Sequence, residues 1–354
     1  MTYIDIFISF AAMDGPARLP LQTSIDVLKA IAEPTRLRLL VLLASGELSV
    51  KDLTRILGQS QPRISRHLKL LAEAGLVERA AEGSWAYFRL AEAVGGDALA
   101  RTVLDAVDRA DAVILRDRRR AEALRDERGA AAQTYFQTHA SDWDSIRALH
   151  VAEADVEAAV SEVLGPGPFD LLVDLGTGTA RMLELFAGRY RRAIGIDLSA
   201  AMLAYARAKL ERAGLTQVQV RQGDIYDLPL ADLSADAVVM HQVLHFLSDP
   251  QGAVREAARV LAPGGRLLIV DFAPHQLEFL REQYAHERLG FAGQQIAQWV
   301  ADSGLELLDR RDLAPGGGAA DAAKLTVSVW LAGRAKAAPA EAGTASRRKL
   351  ERTA

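Results

Sequence analysis

The sequence contains no cysteine among its 354 residues. Disulfides, zinc–thiolate sites, thiolate nucleophiles and a trivalent-arsenic site built from thiols are therefore excluded. Residence in the cytoplasm is the simplest expectation for a chain without disulfides. Arsenite methylation, which needs thiols, is disfavoured on the same ground.

Long apolar runs are also missing. The longest stretches, 37–44 and 237–247, fall well short of the ~20 residues that a membrane span needs, so no membrane partner is expected. The opening 1–13 contains Asp5 and has no basic residue ahead of its apolar side chains, unlike a secretory signal. Met1 and Met13 both remain candidates for the true first residue.

The sequence also lacks an excess of positive charge, since its formal net charge is −4. DNA binding would therefore need a local basic patch. Hydrophobic residues make up 50% of the chain and charged residues 25%, as in folded proteins. A chain of 354 residues is long enough for two domains and connecting helices.

Three helices are predicted after Asp26. The first two flank Pro34, with Thr35 as the N-cap of the second. The third, Val50–Leu57, is short and amphipathic, and Gly58 ends it.

A fourth helix, Ser60–Glu73, follows a tight turn. Ser60 is its predicted N-cap, and Pro62 lies in the first turn, where a missing N–H costs nothing. One face is apolar and the other is polar and basic. Helix, glycine turn and basic helix are the layout of a helix-turn-helix whose second helix enters the major groove.

Two short alternating segments, 76–79 and 85–90, flank the turn 82–84 and predict a β-hairpin wing. From Lys51 to Leu90 seven Lys/Arg face four acids, which supplies the local basic patch. A charged helix face alone is more often only solvated, but the order helix, turn, helix, wing favours double-stranded DNA as a partner. The candidate DNA-binding residues are Ser60, Gln61, Arg63, Ser65, Arg66, His67, Lys69 and Arg79.

The segment 33–90, EPTRLRLLVLLASGELSVKDLTRILGQSQPRISRHLKLLAEAGLVERAAEGSWAYFRL, resembles the ArsR/SmtB winged-helix repressors over that whole domain. The resemblance implies a homodimer with each recognition helix in the major groove of a palindromic operator. Arsenic sensors of this family have a Cys-x-Cys pair in the stretch that corresponds to 47–52. Here Ser49 and Lys51 stand in that stretch, so metal sensing is not expected and the signal must enter elsewhere.

The segment 96–128 is rich in Ala, Leu, Arg and Asp, and its apolar residues recur at helical spacing. By the same resemblance this stripe is expected at the dimer interface. Gly129 is predicted to end the helix. The stripe consists of Leu99, Val103, Ala106, Ala110 and Val113.

The apolar segment 171–175 leads directly into a glycine turn, Gly176-Thr177-Gly178, and then into a predicted helix, 181–190. A second apolar strand, 193–197, ends in Asp197, 21 residues after Gly176. In nucleotide-binding α/β folds such an acid accepts hydrogen bonds from the ribose hydroxyls, while the glycines let the ligand approach the backbone. The third glycine of a dinucleotide fingerprint is missing.

Further apolar segments, 218–225, 235–241 and 261–271, predict the third, fourth and fifth strands of an α/β sheet. The last two, 305–313 and 325–332, are joined by a glycine-rich loop, so the sheet is expected to finish as an antiparallel hairpin. The predicted fold class is thus an α+β winged helix-turn-helix domain followed by an α/β Rossmann-like domain.

Residues 135–333 are similar to class I S-adenosylmethionine-dependent methyltransferases, especially the UbiE-like group. The resemblance implies S-adenosylmethionine or S-adenosylhomocysteine as cofactor, with Asp197 on the ribose and a lid at Tyr135, Phe136 and Trp143. His241 and Gln242 would line the mouth of the site, beside a small-molecule methyl acceptor. The implied cofactor residues are Asp174, Gly176, Thr177, Gly178, Asp197, Leu198, Met202, Gly223, Asp224, Ile225, His241 and Gln242.

Several of these residues have alternative interpretations. Asp224 is equally compatible with a turn and Met202 with the core. His241, His245 and Asp271 are the candidates for a catalytic base, and solvent-facing or core roles for them remain open. Four histidines near strand ends suggest a metal only weakly, because no helical His-x-x-x-His has a partner acid, so no metal is expected.

The predicted organisation is an N-terminal tail (1–20), a winged-helix domain (21–95), connecting helices with the lid (96–165), a methyltransferase domain (166–334) and a disordered tail (335–354). Two functions fit it. In the first the chain is a dimeric repressor whose C-terminal domain senses the cofactor. In the second it is an active methyltransferase of a small molecule with autoregulatory DNA binding.

Overall fold

The computed structural model describes residues 19–82, 85–91, 96–140, 143, 153–314 and 325–336. Most of the predicted N-terminal tail, the tip of the wing, the glycine-rich loop and most of the predicted C-terminal tail lie outside the described residues. The described part forms a small N-terminal domain, a long connecting helix and a larger C-terminal α/β domain.

The N-terminal domain packs four helices against a three-stranded sheet in the order β1-β3-β2. Its core is a single apolar cluster to which every helix contributes. The sequence prediction of a winged helix-turn-helix is confirmed. The elements are α1 (Leu21–Ile31), α2 (Pro34–Leu43), β1 (Leu48–Ser49), α3 (Val50–Leu57), α4 (Gln61–Glu73), β2 (Val77–Glu82) and β3 (Trp85–Leu90).

Local signals set most of these helix ends, and one prediction was wrong. Helix α2 is capped by Glu33, whose carboxylate accepts from the Arg36 N–H at 2.8 Å, and not by Thr35. Helix α3 has the predicted bounds and starts with a capping box in which Ser49 and Asp52 satisfy each other's backbone N–H.

Two helices follow the wing, α5 (Gly96–Ala106) and α6 (Ala112–His139). Asp111 starts α6 by accepting from the N–H groups of Val113 and Ile114. The prediction that Gly129 ends this helix was wrong, because α6 continues through it for ten more residues. A lone glycine costs a helix only about 1 kcal/mol, and the packing of a 28-residue helix on both domains offsets that.

The apolar residues of 96–128 that were expected to form one stripe do not lie on one continuous helix. The break between α5 and α6 separates Leu99 and Val103, which pack on the N-terminal core, from the exposed Val113. Ala106 and Ala110 are exposed.

The C-terminal domain is a seven-stranded sheet in the order β6-β5-β4-β7-β8-β10-β9 with apolar clusters on both faces. The strands from β4 to β8 are parallel, and β9 and β10 are antiparallel, which confirms the predicted terminal hairpin. The strands are β4 (Phe169–Leu175), β5 (Tyr190–Asp197), β6 (Val218–Gln222), β7 (Ala235–His241), β8 (Leu261–Phe272), β9 (Glu306–Leu313) and β10 (Val327–Gly333).

Helices cover both faces of this sheet. The helix after β4 has only five residues, against the ten predicted, because β5 already begins at Tyr190. A 3₁₀ turn, Leu244–Phe246, follows β7. The helices are α7 (Glu153–Leu164), α8 (Arg181–Leu185), α9 (Ala200–Arg212), α10 (Pro250–Val260), α11 (Phe279–Gln283) and α12 (Gly293–Asp302).

Candidate functional site

A cavity of about 740 Å³ opens at the carboxyl ends of β4, β5 and β7. This edge of a parallel sheet, where the strand order reverses, is where α/β folds bind ligands. The opposite wall comes from α6, which contributes Arg125, Arg128, Gln133 and Phe136. The cavity therefore lies between the sheet and the helix that also supports the N-terminal domain.

The glycine turn after β4 is held open by its backbone geometry. Gly176 and Gly178 have φ of 70° and 51°, in the left-handed region that favours glycine. A Cβ on Gly176 would lie 2.4 Å from a methyl group of Val243. The buried Asp174 carboxylate fixes the turn by accepting from the Thr177 hydroxyl at 2.6 Å. The turn thus presents bare backbone to the cavity.

Asp197 ends β5 beside this turn. One carboxylate oxygen accepts from the Gly178 N–H and the other from the Ser199 N–H, both at 2.8 Å. Burial raises the pKa of Asp197 above its ordinary 3.8, and the backbone donors only partly offset the effect. A carboxylate can accept about four hydrogen bonds, so both oxygens retain capacity toward the cavity for a pair of hydroxyls.

The residues that the resemblance assigns to the adenine side lie along the wall. Gly223, Asp224 and Ile225 follow β6 and line the cavity. Asp224 additionally accepts from the Tyr226 N–H at 2.9 Å, so the turn role and the lining role coexist. Met202 likewise is buried in the core and reaches the wall, while Leu198 is 46% exposed.

The mouth of the cavity is formed by the loop after β7 and by aromatic side chains. His241 and Gln242 line it as predicted. Gln242 has a φ of 51°, a strained value for a residue other than glycine, and its N–H donates to Val270 O at 2.7 Å. Strained backbone held in place by its surroundings is common at functional sites.

Two of the three predicted lid residues reach the cavity. Phe136 contacts Phe246 edge-on, with ring centroids 4.8 Å apart, and Trp143 lies next to both. The indole nitrogen of Trp143 is 3.5 Å from the point where a Cβ on Gly178 would lie. Tyr135 instead stacks on His139 at 4.3 Å and does not line the cavity.

The three candidates for a catalytic base lie in two different places. His241 lies on the cavity wall, but His245 and Asp271 are buried outside the lining and bonded to each other at 2.8 Å. The His245 ring also stacks near His286, with centroids 4.1 Å apart. Neither His245 nor Asp271 contacts the cavity, so the structure places them as supports of the 3₁₀ turn. His241 is the candidate for a catalytic base that lines the cavity.

Arg128 of α6 is a functional candidate that the sequence prediction missed. It lines the cavity, bonds the Asp52 carboxylate of the α3 capping box at 2.5 Å and lies 3.4 Å from Glu287 of the C-terminal domain. No local pattern marks it among the many arginines of α6, because the pairing joins residues far apart in sequence.

A second set of contacts joins the wing to the C-terminal domain. The buried Arg288 pairs with Glu47, to which Gln295 also donates, and the Tyr87 hydroxyl donates to Glu287 O at 3.1 Å. The N–H groups of Glu287 and Arg288 donate to His245 O at 2.9 and 3.0 Å. The wing is therefore connected to the 3₁₀ turn beside the cavity mouth.

The residues predicted to contact DNA are exposed, with one exception. On α4 the apolar stripe is buried and the polar face is exposed. His67 instead turns inward, with 13% of its side chain exposed and Nδ1 3.5 Å from Glu33 Oε2. Burial lowers its pKa, so it adds no fixed charge to this surface at neutral pH. The exposed members are Ser60, Gln61, Arg63, Ser65, Arg66, Lys69 and Arg79.

The described residues lack two further features. No three histidine or acidic side chains among them cluster as metal ligands would. No helix there combines the length and apolar character needed to cross a bilayer.

Comparison with protein families agrees with both domains. Residues 33–79 match the bacterial regulatory protein model of the ArsR family, and residues 173–269 match a methyltransferase domain model. The chain combines an ArsR-family domain with a methyltransferase domain. A probable S-adenosylmethionine-dependent methyltransferase of Mycolicibacterium smegmatis is 31% identical over 155 residues, which cover 42% of this chain and 57% of that protein.

Individual relatives match over part of their length. The ubiquinone/menaquinone biosynthesis C-methyltransferase UbiE of Caulobacter vibrioides is 34% identical over 151 residues, which cover 40% of this chain and 60% of that protein. A 37.1 kDa protein of a Streptomyces fradiae transposon is 32% identical over 168 residues, 43% of this chain and 48% of that one. The chain thus spans about half the length of these relatives.

Among solved structures, a chain of the complex between the Haloferax volcanii Trm112 activator and a methyltransferase is similar. It is 21% identical, and the match covers 57% of this chain and 98% of that one with a TM-score of 0.48. The YcgJ protein of Bacillus subtilis is 19% identical, with 51% and 98% covered and a TM-score of 0.43.

Proposed function

We propose that the chain is a dimeric DNA-binding transcriptional repressor whose affinity for its operator changes when S-adenosylmethionine or S-adenosylhomocysteine occupies the cavity. One observation carries the proposal: helix α6 packs on α2 and α3 of the ArsR-family domain and also forms a wall of the cavity. A ligand bound in the cavity would then contact the same helix, α6, that supports the domain carrying α4, the helix proposed to bind DNA.

The residues at the cavity fit the cofactor. The backbone of Gly176 and Gly178 lines the cavity, where the amino-acid part of the cofactor can approach it, and Asp197 offers two carboxylate oxygens to its ribose. Asp224, Ile225 and Met202 flank the space that its adenine requires. When bound, S-adenosylmethionine supplies an electrophilic methyl group on a sulfonium. S-adenosylhomocysteine offers the same ribose and adenine, so both fit the proposal.

The route of the signal runs through charged contacts at the segment 47–52. In metal-sensing members of the resembled family this stretch holds the metal ligands. Here the side chains of Glu47 and Asp52 bind Arg288 and Arg128. Arg128 also lines the cavity, so a ligand that changes its position alters the contacts of the α3 capping box. The cofactor site thereby takes the place of the metal sensor.

The homodimer belongs to the same proposal. Helix α1 leaves Leu21 79% and Leu28 47% exposed, an apolar surface that a second ArsR-family domain would cover. A dimer also presents two α4 helices to successive major grooves of a palindrome. The working boundaries are 21–95 for the DNA-binding part, 96–165 for the connecting helices and 166–334 for the cofactor part.

The test is the affinity of the purified full chain for a labelled duplex from its own upstream region, measured by fluorescence anisotropy without ligand and with each ligand at saturation. A coupling free energy of the usual 1–3 kcal/mol changes the affinity about 5- to 150-fold. Affinity that stays constant, while calorimetry shows that the ligand binds, contradicts sensing.

Matched variants separate the two halves. Arg66→Ala and Lys69→Ala should weaken the duplex complex and leave ligand binding intact, because both side chains are exposed on α4. Asp197→Ala should retain DNA binding and lose the response to ligand. Arg207→Ala, at an exposed position of α9, serves as the charge control and should change neither.

A second candidate function is methyl transfer to a planar acceptor. The aromatic side chains of Phe136, Trp143 and Phe246 surround the cavity mouth next to His241, an arrangement that suits a flat ring. The names of the UbiE-type relatives point to quinone-like acceptors. Label transfer from methyl-labelled cofactor to a reduced demethylmenaquinone, lost in Phe136→Ala, supports this function; no transfer to any ring in a phenol and quinol panel counts against it.

A further inference from the structure

A run of arginines on the first half of α6 has no role in the cofactor site. Arg116, Arg118, Arg119 and Arg120 are all exposed, and 52% of the Arg116 side chain is accessible. The acid within the run, Asp117, is buried and bonded to Arg38 at 2.5 and 2.8 Å. The solvent-facing charge of this stretch is therefore strongly positive although the chain as a whole is acidic.

This arginine run lies beside the turn of the helix-turn-helix. The Arg120 guanidinium donates to Ile56 O, at the end of α3, at 3.0 Å. It also lies 3.7 Å from the point where a Cβ on Gly58 would be. Gly58 is two residues from Ser60, the first residue of the proposed DNA surface. Arg116 is about 6 Å further along the helix axis.

The guanidinium groups of Arg118 and Arg119 are available for a ligand, whereas Arg116 lies 3.8 Å from the Asp117 carboxylate. In the part of the chain that the structure describes, no carboxylate pairs with Arg118 or Arg119. Arg119 lines, with Arg116 and Arg120, a shallow surface pocket of about 360 Å³ that residues of α6 alone form, and Arg118 lies outside it. Exposed guanidinium groups suit phosphate oxygens, which they bind in a bidentate manner.

We propose that the arginine run of α6 binds phosphates of the DNA backbone next to the major groove that α4 enters. The inference rests on the proposed DNA-binding function and extends it. The contact reads no sequence, since phosphate contacts position a protein on the duplex while base contacts specify the site. Because the second half of α6 lines the cofactor cavity, DNA and cofactor would then contact the same helix directly.

The test compares Arg118→Gln/Arg119→Gln with Arg207→Gln/Arg212→Gln, a control pair of exposed arginines on α9. Anisotropy is measured with the upstream duplex and with a random-sequence duplex over a series of salt concentrations. Each lost phosphate contact should make the slope of log K against log salt shallower by about 0.9. The α6 pair should therefore weaken binding to both duplexes, whereas the α9 pair leaves the slope unchanged.

Each of three results would overturn the inference. An unchanged slope in the α6 variant, with Arg66→Ala still weakening binding, contradicts the inference and leaves the proposed function intact. A changed dimer mass in light scattering with an unchanged slope assigns the run to a subunit interface instead. If the wild type binds neither duplex, the proposed function and this inference fall together. Calorimetric cofactor binding, expected to be equal in all variants, verifies that each one folds.

Discussion

Arg288 of the methyltransferase domain stacks on Tyr87 of the wing, with its guanidinium carbon 4.1 Å from the ring centroid. The same side chain is only 3% exposed and pairs with Glu47, and its backbone N–H holds the 3₁₀ turn beside the cavity mouth. A buried charge of this kind persists only with its partners, so the two domains are coupled physically as well as by the chain.

Replacing this arginine should loosen that coupling. Arg288→Met leaves Glu47 buried without its ionic partner, which costs about 3 kcal/mol, the lower end of the usual range because Gln295 still donates. Tyr87→Phe keeps the ring and loses two hydrogen bonds, the one donated to Glu287 O and the longer one accepted from Arg281, together worth about 1–2 kcal/mol. Urea unfolding should therefore show a larger loss of unfolding free energy for Arg288→Met than for Tyr87→Phe.

The same pair of variants tests the route of the signal. Arg288→Met should bind the cofactor within a few-fold of wild type but show a much smaller ligand effect on DNA affinity. Tyr87→Phe, the conservative control, should keep most of the effect. An undiminished effect in Arg288→Met would place the coupling entirely on α6.

The glycine turn predicts a contrast between two alanine substitutions. Gly176→Ala forces a Cβ to within 2.4 Å of Val243 at a φ of 70°, a strain of at least about 1–2 kcal/mol before the clash is counted. Gly188→Ala meets no atom within 4 Å. Thermal unfolding and calorimetry should therefore show loss of stability and of cofactor affinity in the first variant, and near-wild-type behaviour in the second.

The raised pKa of Asp197 predicts opposite pH trends for affinity and stability. Ribose hydroxyls bind the carboxylate, so cofactor affinity should fall as the pH falls through the raised pKa. The stability of the ligand-free fold should move the other way: a carboxyl whose pKa is raised by folding favours the folded state below its ordinary 3.8 and loses that contribution as the pH rises through the raised value.

Calorimetry and thermal unfolding between pH 4 and 7 measure both trends. Asp197→Asn is the control, because it cannot titrate and should bind the cofactor weakly with little dependence on pH in this window. A wild-type affinity that stays flat over the window would remove Asp197 from the ribose site.

Trp143 offers a spectroscopic readout of ligand binding in the cavity. Its indole nitrogen is adjacent to Gly178, where the cofactor would contact the backbone, whereas Trp299 and Trp330 are buried in the core. Cofactor binding should therefore change the tryptophan emission of the wild type, and Trp143→Phe should abolish most of that change. A change retained in full by Trp143→Phe would separate this residue from the site.

The fold was predictable from sequence to a large extent because its signals are local. Helix α3 and strand β7 have the predicted bounds, since a capping serine and a closing glycine define the helix and a mainly apolar run defines the strand. The glycine turn and Asp197 follow from the strand-end pattern in the same way. Local signals failed where tertiary packing overrides them, as in the continuation of α6 through Gly129.

The coupling residues could not be predicted. Arg128 pairs with Asp52, 76 positions away, and Arg288 with Glu47, 241 positions away. No periodicity relates such positions. His245 and Asp271 were predictable as polar residues near strand ends, but only the packed structure shows that they bond to each other below the cavity wall. Long-range pairing of charges is a property of the fold.

The coupling between the cofactor site and the DNA surface is tested by the reciprocal experiment, in which the cofactor affinity is measured by calorimetry for the free protein and for the protein saturated with its upstream duplex. Linkage requires that DNA change the cofactor affinity by the same factor by which the cofactor changes the DNA affinity. We predict equal factors of at least about fivefold for wild type and none for Asp197→Ala. Identical cofactor affinities with and without DNA would contradict the account.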